Sequence, residues 1–508
     1  MKRWLALLAI AACTRASTIG YVEPVLDADV ADAALQEDAA PEDAGVLVVD
    51  DCVPGISTAV PIANVEALRA ARVGTGRWLY PYDETVMPRG VGAPALMWEG
   101  VEAEAVLVRV QARALSYEAC WFPDEAQTAQ LSDAAWTLIE QNSQGRDDPI
   151  TVEVAMLRGS QAERLPARTL TIASERLGGS LFYMASSGPL TTGPTGVAVL
   201  QLPLGAASRP VLAPVSCGGC HAVSANGSRL LAFSNGLGAL LALDASGAKQ
   251  IGTPVAGELT ALSPTGDVYV SPARGLSSGP PYRGSALTPA PTLHDTDTGA
   301  PLDAGLVSGV MMPAFASEGD ALVFTDFSLA NGKGLATMRY DASARRFDDY
   351  RTLFTSDRYP GWPSFLPGQR GVVFALGERN DYSGGGYSSP GKPPPSDLHA
   401  HSLATGSTVM LHRAMGFASA NDADAERSEL PFPEDELHKS YNPQVAPTQA
   451  GGFHWVFFDS VRHYGNRGLR RQIWCAAIDA DDPSASHPAF YVRGQERDGT
   501  TFRPVWAR

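Results

Sequence analysis
Apolar and polar residues alternate with a period of two along much of the chain. Val106, Val108 and Val110 alternate with Leu107, Arg109 and Gln111, and Ile150, Val152, Val154 and Met156 alternate with Thr151, Glu153 and Ala155. Leu170 and Ile172 flank Thr171. This period places successive side chains on opposite faces and predicts half-buried strands. Further strands are expected at Ala95–Trp98, Ser116–Phe122, Ala135–Glu140 and Ser180–Ser186. Seven or eight short strands over residues 54–187 predict a β-sandwich.

Beyond residue 190 the strands are punctuated by two alternating kinds of turn. The first is Ser-x-x-Gly before an apolar run: Ser224-Ala225-Asn226-Gly227 before Leu230–Phe233, and Ser263-Pro264-Thr265-Gly266 before Val268–Val270. Weaker copies are Ala316-Ser317-Glu318-Gly319, Leu366-Pro367-Gly368 and Ala446-Pro447. The second follows a strand ending in Asp or Ser. It occurs at Asp244 to Gly247, Asp295 to Gly299, Asp341 to Ala344, Ser402 to Gly406 and Ile478 to Ala480. Five interleaved copies match four-stranded propeller blades, whose inner and outer strand pairs each need a hairpin turn. A sixth blade is expected to combine Gly196–Leu204 with Pro488–Val492 and Phe502–Trp506, pairing both ends of the domain. The segments Glu378–Asp397 and Gly416–Lys439 are expected loops. The fold class is therefore all-β, a sandwich followed by a propeller over 190–508 with six blades, five or seven being the alternatives.

Composition supports this and adds a compartment. The chain has 508 residues with 50 Gly, 38 Pro and 19% charged residues, a turn-rich profile unlike that of long-helix proteins. The net charge of −16 disfavours nucleic acid, whose binding rests on cationic neutralisation of phosphates. Past the N-terminus no apolar run reaches the roughly 18 residues a spanning helix needs. Residues 1–51 carry ten acids and three bases, and Glu23 to Asp51 has no Lys or Arg. Residues 13–53 are therefore expected to be a disordered acidic tether. Ahead of it, Met1-Lys2-Arg3 is basic, Trp4 to Ala12 is apolar, and Ile10-Ala11-Ala12 precedes Cys13. Residues 1–12 read as an export signal. The small residues before Cys13 resemble a bacterial lipobox, which implies a diacylated Cys13 anchoring the chain to a membrane surface. Thr14 in place of Asp implies the outer membrane, facing periplasm or exterior.

The chemistry concentrates at Cys217-Gly218-Gly219-Cys220-His221. Two thiols at this spacing can add to the vinyl groups of haem, and the adjacent imidazole can then coordinate iron. With 6 Cys and 9 His in 508 residues, chance would give this pattern on the order of 0.001 times. Zinc would want further ligands, a redox dithiol would want a thioredoxin-like context, and a plain disulfide would not need His221. Aligning the turns puts Met312 at the position of Cys220, with Trp362 and Asn442 at the same level. Met312 is a candidate second axial ligand, or core filler, and His438 is a weaker candidate. Cys52 and Cys120 could form a disulfide in an oxidising compartment.

The first domain resembles immunoglobulin or fibronectin-III sandwiches in strand number. The second resembles TolB-type, WD-like propellers in its Ser-x-x-Gly turns, with Asn226, Thr265 and Glu318 as departures. Together with the Cys-x-x-Cys-His motif, the resemblance implies an exported lipoprotein holding one covalent haem c. Three functions compete. One is electron transfer with a redox or envelope protein partner. Another is non-catalytic protein interaction in the cell envelope. The third is peroxidase-type haem catalysis at an open iron position.

Overall fold
The computed structural model describes residues 45–191, 197–212, 221–234, 237–244, 247–252, 259–272, 290–378, 394–417 and 437–508. Cys13, Cys217 and Cys220, most of the two expected loops and the export segment lie outside the described residues. The fold is all-β. Among the described residues, six four-stranded antiparallel sheets follow one another in a propeller-like order.

The predicted turns build these sheets. Gly227, Gly266, Gly319 and Gly368 have φ of 70°, 76°, 80° and 70°, the left-handed region that the first turn requires. Ser224 Oγ accepts the Arg229 N–H at 3.0 Å, and Ser263 Oγ accepts that of Val268 at 3.3 Å, closing the turn beneath the strand it launches. The outer turns use carboxylates instead. Asp341 Oδ1 accepts the N–H groups of Ser343 and Ala344, and Asp295 Oδ1 accepts that of Thr298.

Sheet one runs His221–Val223, Arg229–Ser234, Leu237–Asp244, Gly247–Gln250. Sheets two to five repeat the pattern from Ala261–Leu262, Val310–Phe315, Tyr359–Phe365 and Ser440–Val445. The last is a closing sheet in the order Arg209–Leu212, Val197–Pro203, Ser180–Ser186, Thr500–Ala507. Its innermost strand is the C-terminal one. Pairing across some 320 residues is slow to nucleate, but it seals the ring.

Four expectations need correction here. Ser180–Ser186 belongs to the closing sheet and not to the first domain, because Phe182 and Met184 bury against Val223, Leu230 and Phe502. Residues 488–492 do not join the closing sheet. Phe490–Tyr491 pairs with Trp474 and Cys475 in sheet five. Residues 135–140 are not a strand. Asp133–Gln141 is a helix capped by Ser132, whose Oγ accepts the Ala135 N–H at 3.1 Å, and it buries Ala135, Trp136, Ile139 and Glu140 at helical spacing. The tether does not run to residue 53 as coil. Leu47–Asp51 is a strand parallel to Leu115–Trp121, pinned by the Cys52–Cys120 disulfide and the Tyr117–Asp51 hydrogen bond.

The first domain combines an eight-stranded and a three-stranded sheet with two short helices. Three of its strand pairs are parallel, a departure from the antiparallel immunoglobulin pattern. It shares one hydrophobic core with sheet five and the closing sheet, in which Trp78, Trp98 and Ile172 join Trp455, Phe457 and Trp506. The hairpin of Phe453–Tyr464 and Arg467–Asp479 overshoots its sheet to reach it. Asn466 donates to Gln127, and Arg467 pairs with Glu125 at 3.1 Å. Residues 45–508 thus form one unit.

Candidate site in the central channel
The innermost strands converge on one cavity of about 120 Å³, whose walls include His221, Thr260, Met312, Trp362, Asn442 and Arg503. The sequence levels these positions. Counting back four residues from each turn gives Leu259, Met312, Trp362 and Asn442, and Arg503 before Pro504 repeats the form on the closing strand. All five have left-handed backbones, with φ of 64°, 49°, 54°, 51° and 54°. After four of them comes proline: Pro313, Pro363, Pro443 and Pro504. A proline has no N–H for the ladder, so the inner strand bulges there. Register shifts follow between Met311 and Ala314, Gly361 and Ser364, Tyr441 and Gln444, and opposite Arg503. Each bulge turns one side chain out of the ladder at the channel.

His221 opens sheet one, three residues before its turn. Ala222 packs with Leu262 and Tyr269 of sheet two, whereas Val223 packs with Phe182 of the closing sheet. By alternation His221 faces the closing sheet. It is 2% exposed, and neither ring nitrogen has a hydrogen-bond partner among the described residues. Burial and the Arg503 charge lower its pKa from 6.5 to about 3, opposed weakly by the Phe182 backbone. The imidazole is therefore neutral at ordinary pH, and among the described residues its polar contact is confined to the weak one with the Phe182 backbone.

On the opposite wall one carboxylate is well supplied with donors. Asp459, fully buried, accepts Asn442 Nδ2 at 2.8 Å, the Arg503 N–H at 3.0 Å and Arg471 Nε at 2.6 Å. Ser364 Oγ ties sheet four to sheet five by accepting from Gln444 Nε2 and the Val445 N–H. The Arg503 guanidinium lies 4.3 Å from the Trp362 ring centroid.

Met312 reaches the same cavity as His221. It also packs with Leu259, Met311 and Phe327, and Thr325 Oγ1 approaches its Sδ at 3.8 Å. His438 does not line the cavity. Its Nδ1 lies 2.7 Å from Asp397 Oδ1, and that carboxylate also meets Arg358. Cys52 and Cys120 are bonded, and Cys475 is a buried thiol whose pKa burial raises. Sequence reasoning missed Arg503 and Leu259. The signal for Arg503 was present in Arg503-Pro504-Val505-Trp506, which repeats the form of Trp362-Pro363-Ser364-Phe365.

No protein-family model and no curated relative matches the sequence. Similar solved structures include TolB from Acinetobacter baumannii, with 14% identity and a TM-score of 0.41 over 71% of this chain and 79% of that one. Kuenenia stuttgartiensis hydrazine synthase matches with 10% identity and a TM-score of 0.31 over 61% and 97%. An oligogalacturonate lyase in complex with manganese matches with 13% identity and a TM-score of 0.29 over 61% and 74%. Scores this low say nothing about activity.

Proposed function
We infer that the chain is an exported, lipid-anchored, six-bladed propeller protein that carries one haem c and transfers electrons. Cys217 and Cys220 would hold the macrocycle, His221 would ligate the iron, and Cys13 would anchor the chain at the outer membrane. The observation that carries the reading is His221, which follows Cys217-x-x-Cys220 directly and has a buried, neutral imidazole whose polar contact among the described residues is no more than a weak one with the Phe182 backbone. Buried polar groups without partners are rare, and a ligand that takes one of them explains it. The donor set suits haem iron, which supplies reversible one-electron chemistry when bound.

The cavity itself is small for such a group. Pockets for drug-sized ligands run to about 300–1,000 Å³, larger than this one. Arg503 disfavours added positive charge nearby and would hold the potential up. Met312, on the same channel, is the candidate for the sixth position. The second reading, a haem-free interaction propeller, draws on that same small cavity.

Expression of the full chain alongside c-type maturation machinery tests the choice. A haem-stained band at the mass of the chain is expected, absent in Cys220→Ala. The absorption spectrum then reports whether sulfur occupies the sixth position. An unstained, colourless protein would overturn the haem reading and leave the interaction reading.

A further inference from the structure
Exposed apolar side chains are unevenly spread over the molecule. Of the ten large ones left bare among the described residues, six are Val46, Leu47, Val48, Ile56, Ile62 and Phe122, while the propeller supplies Ile251, Tyr350 and Leu469. Topology brings the six to one edge of the first domain. Leu47–Asp51 is the end strand of the eight-stranded sheet, and its far edge pairs with no strand among the described residues. Leu47 and Val48 point to opposite faces of that strand, yet both are exposed, Val48 to 71%. The parallel register with Leu115–Trp121 and the Cys52–Cys120 bond set Phe122 beside the turn 53–58. Thr58 ties this turn down by donating its hydroxyl to the Cys120 carbonyl at 2.7 Å. Ile56 stands in the turn, 85% exposed, and Ile62 opens the helix Ile62–Arg69 four residues after Thr58. Val46 to Val49 carry no charge, proline or bulge, the devices that ordinarily guard a sheet edge.

We propose that this edge rests on a phospholipid surface, the one that holds Cys13. The inference builds on the lipid-anchor reading above. Cys13 to Ala44 is 32 residues, which reach at most about 110 Å when extended and end two positions before Val46. An acylated Cys13 therefore keeps the edge within reach of the bilayer, and at the effective concentration this sets a weak contact is enough. The bilayer interface suits both parts of the edge. Its acyl boundary takes up the side chains of Val48, Ile56 and Phe122, and its hydrated headgroups meet the outer N–H and C=O groups of the strand. The strand's own carboxylates are engaged within the protein, Asp50 with Arg69 at 2.8 Å and Asp51 with the Tyr117 hydroxyl at 2.9 Å, so neither approaches the surface as an unpaired charge. A second copy is the poorer occupant. Residues 13–44 carry eight acids against one base, and pairing two copies at this edge would set two such segments side by side.

The test is vesicle flotation of residues 13–508 with Cys13→Ser, made behind an unrelated cleavable export signal so that Cys52–Cys120 forms and no acyl chain is attached. The probes are vesicles of phosphatidylcholine, with and without phosphatidylglycerol. Saturable binding to both is expected, no stronger with phosphatidylglycerol, because the segment leading to the edge is acidic. Ile56→Ser with Phe122→Ser should lower the partition constant at least tenfold, and Val48→Ser a few-fold. Ile251→Ser with Leu469→Ser, also exposed but on the propeller, should leave it unchanged. No binding, binding that these first-domain substitutions leave unchanged, or binding confined to phosphatidylglycerol and removed by salt would overturn the proposal. So would a dimer in sedimentation that Ile56→Ser with Phe122→Ser disperses, which would assign the edge to a second copy. The mass of the N-terminal peptide of the native chain reads the anchor separately. An unacylated Cys13 would overturn the anchor reading, whereas an acylated Cys13 with no vesicle binding would overturn this proposal alone.

Discussion

Asp459 and His221 are both buried beside the same channel, and their surroundings could hardly differ more. Asp459 accepts from Asn442, Arg471 and the Arg503 backbone, while His221 among the described residues has no more than a weak contact with the Phe182 backbone. The first sits under the side clasped by the N-terminal domain, where one core runs from Trp78 through Trp455 to Trp506. The second sits on sheet one, whose apolar contact with sheet two among the described residues is the cluster Ala222, Leu231, Leu240, Leu262 and Tyr269, beside hydrogen bonds from Asn226 to Pro264 and Thr265. A saturated buried charge holds strands together. A buried imidazole with little polar contact adds little to the free chain. The sheets are thus braced more heavily at sheet five than at sheet one.

The sharpest way to break this contrast is Asp459→Ala. It strips the carboxylate from Arg471, which lies in a largely buried pair, and from two further donors, Asn442 of sheet five and the Arg503 N–H of the closing strand. Removing one partner of a buried pair costs about 3–5 kcal/mol. Urea unfolding should show a loss of that size. A loss under about 1 kcal/mol would mean that sheet five is not braced by this carboxylate.

Next in size is the disulfide. Cys52–Cys120 closes a loop of 68 residues and fixes Leu47–Asp51 to the edge of the eight-stranded sheet. Cys52→Ala with Cys120→Ala should cost about 2–4 kcal/mol, since the bond restricts the unfolded chain. Because the first domain shares a core with sheet five, the whole unit should unfold earlier in one transition. Separate transitions for the two regions would show that the clasp is weaker than the shared core implies.

How much of this was legible follows the same divide. The turns could be read because their needs are local: glycine at positive φ and a hydroxyl or carboxylate two to five residues from an N–H. Ser224, Ser263, Asp295 and Asp341 all do what their spacing required. Met312, Trp362 and Asn442 could be levelled by counting back from those turns. Arg503 could not, because the chain ends before a turn follows it. Alternation revealed Ser180–Ser186 as a strand but not the sheet it joins, which depends on a partner some 320 residues away. The helix Asp133–Gln141 was misread because a short run of Ala, Trp, Leu and Ile suits either period. The cap at Ser132 was the deciding local signal.

The smallest expected effect tests the other pole of the comparison. In the haem-free chain, His221→Leu removes two buried nitrogens with little polar contact among the described residues and retains apolar bulk beside Phe182. Stability at pH 7 should be unchanged or rise by up to about 1 kcal/mol, the reverse of Asp459→Ala. Its pH dependence gives a second reading. The folded pKa of His221 is about 3 against an ordinary 6.5, so between these values the unfolded chain binds more protons than the folded one. Stability of the native sequence must therefore fall as pH drops from 6.5 towards 3. His454, lowered to about 4 by burial and by Arg370, adds a fall in the same direction. His221→Leu should flatten that acid limb, and His454→Leu should leave the share due to His221 in place. If His221→Leu instead destabilised the chain at pH 7 and left the acid limb as steep, the imidazole would be a bonded part of the scaffold, and the contrast between Asp459 and His221 would fail.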